Sequence, residues 1–226
     1  MPEKVCENVW LVGSSGITDS GDCMVYLVKL GEQSVLIDAG VGHATGRIMK
    51  NIEAAGVEPK SLSAVILTHC HIDHIGGTNE IRKLTGAKVY AHEKDAKAIE
   101  EAIPRYTVQR YYGIELDPIP VDVKLPGESG EFGFAPGKLS WIHTPGHTPG
   151  SMCVLYENTE GETVLFGQDI HGPFEPGFDS SIADWRESMN KLLVLEPDIL
   201  CEGHFGIFQP ASEVKRFIEE YLRRHM

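Results

Sequence analysis

The chain is short of positive charge: 20 Lys and Arg stand against 33 Asp and Glu over 226 residues, a net charge of −13. Nucleic-acid binding takes most of its affinity from cation–phosphate contacts, so no nucleic-acid partner is expected and a small-molecule substrate is the better match. Long apolar runs are also missing. None approaches the roughly 20 residues of a membrane-spanning helix, and the opening Met-Pro-Glu-Lys-Val-Cys-Glu-Asn lacks the basic and apolar regions of a signal peptide. No membrane partner is expected, and the expected location is cytoplasmic. The five cysteines, Cys6, Cys23, Cys70, Cys153 and Cys201, form no CxxC pair, which fits reduced thiols better than a disulfide framework. A GxSxG elbow and an HExxH motif are absent, which excludes the usual serine-hydrolase and helical zinc-protease signatures. The sequence leaves a homo-oligomer open.

What is present is ordinary globular composition, 42% hydrophobic and 23% charged. Short β-branched or apolar runs bounded by Gly, Asp and Ser predict strands at Val9–Val12, Met24–Leu30 and Ser34–Asp38, the last two forming a hairpin about Gly31-Glu32. Helical spacing covers Thr45–Ala55, with Gly56 as its stop, and Ala64–Leu67 returns to strand. Further helices are predicted at Asn79–Leu84, Glu93–Ala102, Ile182–Leu195 and Ala211–Arg224. Further strands are predicted at Lys88–Ala91, Leu139–His143, Met152–Tyr156, Thr163–Phe166 and Ile199–Glu202. Hairpins at both ends, with helices between and after them, predict mixed sheets covered by helices in an α+β fold, and no linker divides residues 1–226. The segment at about 104–126 is irregular and aromatic, with Tyr106, Tyr111 and Tyr112 beside Arg105 and Arg110, and reads as a cap or lid that touches substrate.

The chemistry concentrates at Thr68-His-Cys-His-Ile-Asp-His-Ile-Gly-Gly77. Three histidines and an aspartate within His69 to His74 suit zinc, iron or manganese, whereas calcium or magnesium would call for oxygen ligands almost throughout. In an extended segment His69 and His71 share one side and Cys70 and Ile72 point back to the core, giving two ligands to one metal. Asp73 and His74 break that alternation, so the chain must turn there and offer them to a neighbouring metal. Further donors stand at predicted strand ends: His147 in Thr144-Pro-Gly-His-Thr-Pro-Gly150, Asp169 in Phe166-Gly-Gln-Asp169 and His204 in Cys201-Glu-Gly-His204.

The ordered combination HxHxDH, TPGHT, strand-end aspartate and late Gly-His resembles the metallo-β-lactamase superfamily. The resemblance implies a four-layer αββα sandwich with the metals in a groove at one edge. By position, His69, His71 and His147 resemble the ligands of a first metal, Asp73, His74 and His204 those of a second, and Asp169 a bridge between them. Two divalent metal ions are therefore expected, zinc first, with iron or manganese as alternatives. A water or hydroxide between two metals is a strong nucleophile at neutral pH, so no protein nucleophile is required.

Within the superfamily, Asp169 matches glyoxalase II-like and lactonase-like members better than class B lactamases. The expected reaction is hydrolysis of a small ester-type bond, thioester or lactone before phosphoester. Glyoxalase II carries a helical domain after its last ligand, and only residues 205–226 follow His204 here, so glutathione thioesters are not the expected substrate. The alternative is a mononuclear iron enzyme resembling the persulfide dioxygenases, which use the first-metal histidines and an aspartate. Asp73 and His171 are the catalytic candidates, the latter as a partner for substrate or leaving group. Asp38, after the strand Val35–Ile37, resembles the family aspartate that orients a metal-bound histidine.

Overall fold

The computed structural model describes residues 1–225. Strands β1 (Glu3–Cys6), β2 (Val9–Gly13), β3 (Val25–Leu30) and β4 (Gln33–Ile37) run antiparallel, the last two about the turn at Gly31-Glu32. Helix α1 (Thr45–Ala54) then crosses over to β5 (Leu62–Leu67), which lies parallel to β4. Helices α2 (Ile72–Ile75) and α3 (Thr78–Thr85) lead to β6 (Lys88–His92), again parallel. After α4 (Glu93–Glu100), α5 (Pro104–Thr107) and a 3-10 turn at Gln109–Tyr112, strand β7 (Val123–Leu125) completes a sheet ordered β1 to β7.

The second sheet begins with β8 (Ser129–Glu131), β9 (Lys138–His143), β10 (Met152–Glu157) and β11 (Thr163–Gln168), all antiparallel. Helix α6 (Ile182–Leu195), whose first turn is capped by the Ser181 hydroxyl accepting from the Asp184 N–H, crosses over to β12 (Ile199–Glu202), parallel to β11. Strand β13 (Ile207–Phe208) forms the edge, and α7 (Ala211–Arg224) follows.

Alternation along the strands distributes side chains between three cores. Tyr26, Val28, Val35, Ile37 and Ile66 of the first sheet meet Val154, Tyr156, Val164, Phe166 and Cys201 of the second in a central layer. Their neighbours Leu27, Leu36, Val65 and Leu67 point outward onto Ile48 and Ile52 of α1, Ile81 of α3 and Ile99 of α4. On the far side Cys153, Leu165 and Leu200 meet Trp185 and Met189 of α6 and Val214 and Ile218 of α7. The result is the expected αββα sandwich. A one-residue slip in any inner strand would exchange its two faces, so burial on both sides fixes register.

Four strands escape the sequence reading: β1, β7, β8 and β13 are short edge strands of two to four residues. The segment 104–126, expected to be irregular, contains α5, the 3-10 turn and β7, each too short to show a period. Among the described residues no helix is long and apolar enough to cross a membrane, and the cysteines are free thiols.

Candidate metal centre

The donors collect where strands end at one edge of the sandwich. β5 stops at Leu67, and His69 to His71 continue as an irregular segment rather than as strand. His71 stands at the N-cap position of α2, in extended backbone and without a side-chain capping bond, and α2 is the turn forced on Asp73 and His74. That turn packs so closely on the loop after β4 that a Cβ on Gly76 would lie 2.1 Å from the Val41 carbonyl oxygen, which explains the Gly76-Gly77 pair. His147 comes from the β9–β10 loop, Asp169 follows β11, and His204 lies just beyond β12.

Asp169 stands at the middle, and its two oxygens face different partners. Oδ2 is 3.4 Å from His147 Nε2 and 3.8 Å from His69 Nε2. Oδ1 is 3.3 Å from both His74 Nε2 and His204 Nε2. His204 Nε2 is also 3.3 Å from Asp73 Oδ2, and His71 Nδ1 is 2.8 Å from His147 Nε2. Two groups of donor atoms result, His69, His71, His147 and Asp169 in one and Asp73, His74 and His204 in the other, each with its atoms within 4.8 Å of one another.

These groups fit metal better than they fit each other. His69 Nε2, His71 Nε2 and Asp169 Oδ1 are buried and make no hydrogen bond, a costly condition for polar atoms unless a further partner binds there. The remaining ring nitrogens of three histidines are fixed from behind. His74 Nδ1 is 2.6 Å from Asp38 Oδ2, His147 Nδ1 is 2.8 Å from the Pro173 carbonyl, and His69 Nδ1 is 3.2 Å from Thr68 Oγ1. Asp38 also accepts from the Thr68 N–H and hydroxyl, both at 2.8 Å, and from Gln168. Cys23, Asp38 and His74 form a third group of potential donors, but the His74–Asp38 bond already uses the nitrogen that would serve it.

The charges divide in the same way. Burial holds His69 and His71 well below the ordinary imidazole range and lowers His147, so these rings are neutral and available as ligands. Burial works against ionising Asp169, but His74 and His204 beside it hold its carboxyl well below the usual range. Burial likewise opposes a charge on His204, and the Asp169 carboxylate outweighs it, raising that ring to about 10.

Over this edge lies a groove of about 380 Å³ lined by Asp73, Tyr111, Tyr112, His171, Phe178 and His204, among others. His171 Nδ1 lies 2.6 Å from Oε1 of the buried Glu202. Glu202 carries no sequence signal beyond its place before Gly203-His204. Its role depends on a contact across 31 positions, which spacing does not show. Tyr111 and Tyr112 come from the 3-10 turn after α5, which is tied down by Arg105 donating to the Gly177 carbonyl at 2.6 Å and by the Tyr106 hydroxyl donating to Asp179 at 2.9 Å.

Comparison with known proteins gives a consistent family. Residues 18–204 match the sequence profile of the metallo-beta-lactamase superfamily. The probable metallo-hydrolase YflN of Bacillus subtilis is 30% identical over 88% of this chain and 86% of its own. A hydroxyacylglutathione hydrolase of Cereibacter sphaeroides is 28% identical over 74% of this chain and 59% of its own. Among solved structures, a Cronobacter sakazakii metallo-beta-lactamase with a HARLDQ motif superposes with a TM-score of 0.84 at 19% identity, covering 99% of this chain and 95% of that one. A subclass B3 metallo-beta-lactamase of Bradyrhizobium japonicum gives 0.82 at 22% identity, covering 99% and 91%. At those identities the likeness is one of fold.

Proposed function

Since the chain belongs to the metallo-β-lactamase superfamily and is a metallo-hydrolase, we propose that it holds two divalent ions and hydrolyses a small ester-type substrate, thioester or lactone before phosphoester. His69, His71, His147 and Asp169 would hold one ion, and Asp73, His74 and His204, with the other oxygen of Asp169, the second. The division of the Asp169 oxygens between the two histidine groups is the observation that carries this reading. Nitrogen and carboxylate donors together favour zinc, then iron or manganese. When bound, such a pair of ions lowers the pKa of a water between them and polarises the bond under attack.

The chain's own residues supply the rest. Asp38 fixes the ring of His74 and keeps its Nε2 turned toward Asp169. Asp73 is placed to orient an attacking water as well as to act as a donor, because its Oδ2 faces His204 at the groove. Glu202 holds His171 by Nδ1, which leaves Nε2 as the nitrogen that can meet the leaving group and return a proton to it. Val108, Tyr111 and Tyr112, from the segment 104–126, form one wall of the groove and act as a lid that sets substrate range. Its volume suits a small acyl group. The hydroxyacylglutathione hydrolase relative supports thioesters as a class.

The test is metal analysis of protein purified without added metal, followed by a screen of thioesters, lactones, phosphodiesters and phosphotriesters. Two ions per chain with turnover of a thioester or lactone is the expected result. A single iron with oxygen uptake on a persulfide would overturn the reading.

A further inference from the structure

We propose that Asp95 is a positioning residue for the metal centre: its carboxylate clamps together the two loops that carry His69, His71 and His147, and so sets the affinity of that half of the centre for a divalent ion. The inference rests on the reading that the histidine groups bind metal.

The two loops belong to different sheets. His69 and His71 follow β5 of the first sheet, and His147 lies between β9 and β10 of the second. Among the described residues no strand pairing joins those sheets, and one backbone bond, Met152 N–H to the Thr68 carbonyl at 2.9 Å, links the loops directly. The Asp95 carboxylate supplies the larger connection. Oδ2 accepts the Cys70 N–H at 3.1 Å and the Thr148 hydroxyl at 2.7 Å, while Oδ1 accepts the Gly150 N–H at 2.7 Å. Cys70 stands between the two ligands of one loop, and Thr148 adjoins the ligand of the other. A small rotation of either loop therefore breaks a bond to Asp95.

The packing is as tight as the hydrogen bonding. Asp95 is 2% exposed, and a Cβ on Gly150 would lie 2.5 Å from its Cγ and Oδ1, so the loop rests directly on the carboxylate. All three partners donate. Ser151 satisfies Thr148 from the other side, its Oγ accepting the Thr148 N–H at 3.0 Å and lying 2.8 Å from the Thr148 hydroxyl. An ionised carboxylate accepts from every donor, whereas an amide in its place turns an NH2 toward one of them. Asp95 does not line the groove, so it reaches the chemistry only through the ligands it holds.

The test is zinc titration of full-length, chelator-treated protein against a chromophoric competitor, comparing wild type with Asp95→Asn, Thr148→Val and the double variant. His147→Ala identifies which binding step belongs to the first group. Asp95→Asn is expected to weaken that step by about 10–100-fold, the usual effect of removing a group that supports metal ligands. The other step should move by less than about threefold. Thr148→Val keeps the volume, removes one of the three bonds and is expected to weaken the same step, carrying the test alone if Asp95→Asn does not fold. The double variant should be no worse than Asp95→Asn. Unchanged zinc binding in Thr148→Val and Asp95→Asn, equal loss at both steps, or additive losses would overturn the clamp. Wild-type protein that binds no zinc would instead overturn the reading of the centre.

Discussion

His171 Nδ1 lies 2.6 Å from Oε1 of Glu202, a carboxylate with no exposed surface, whose Oε2 accepts the backbone N–H groups of His204 and Phe205 at 2.7 and 2.9 Å. One buried side chain thus holds both the loop that carries His204 and the histidine at the groove. Replacing His171 with alanine is expected to lower kcat by roughly 10²–10⁴, the usual worth of a positioned proton donor, with metal content unchanged. An unaltered kcat would remove His171 from the reaction.

The groove wall predicts a different kind of change. Tyr111 is 81% exposed and Tyr112 39%, so neither is held in place as a core residue. Replacing both with alanine is expected to raise KM for larger acyl substrates about tenfold and leave metal stoichiometry and melting temperature intact. Loss of metal or fold in this variant would contradict the lid assignment.

Stability of the metal-free protein follows from the opposed histidine shifts. His204 has a folded value near 10, above its unfolded value, so its contribution is fully present below about pH 6.5 and disappears as pH rises through 10. His69, His71 and His147 are lowered, so the unfolded chain takes up protons that the folded chain refuses, and stability falls as pH drops below about 6.5. Urea midpoints of chelator-treated protein are therefore expected to peak near neutral pH and decline on both sides. A midpoint rising steadily from pH 6.5 to 9.5 would contradict this.

The central layer sets a fourth expectation. Phe166 is fully buried between the sheets, with its ring centroid 5.4 Å from that of Tyr26. Phe166→Ala is expected to cost about 3–5 kcal/mol, read from urea unfolding. A loss below about 1 kcal/mol would show that the sandwich core is loosely packed there.

Most of the fold could be read from the sequence because its signals are local. Inner strands such as β3, β5 and β11 each contain an apolar run, Val25–Val28, Ala64–Leu67 and Val164–Phe166, and α6 and α7 have clear helical spacing, so both kinds of element appear in the sequence with nearly the observed limits. β1, β8 and β13 depend on pairing with a neighbour and carry little apolar pattern of their own. The same distinction holds at the site. The donors stand in recognisable short motifs, and the structure brings His69, His71, Asp73, His74, His147, Asp169 and His204 to one edge. Asp95 and Glu202 were not legible, since each acts through contacts 31 or more positions away, or with backbone groups that any residue provides.

The account turns on Asp169 as the link between two ions. The most direct measurement is the metal content and hydrolytic rate of Asp169→Ala beside wild type, both purified without chelator and checked for folding. Wild type is expected to hold two ions per chain. The variant is expected to hold one or fewer and to lose at least about 10²-fold in kcat, the scale of a removed catalytic group. Two ions and an unaltered rate in Asp169→Ala would contradict a dinuclear centre.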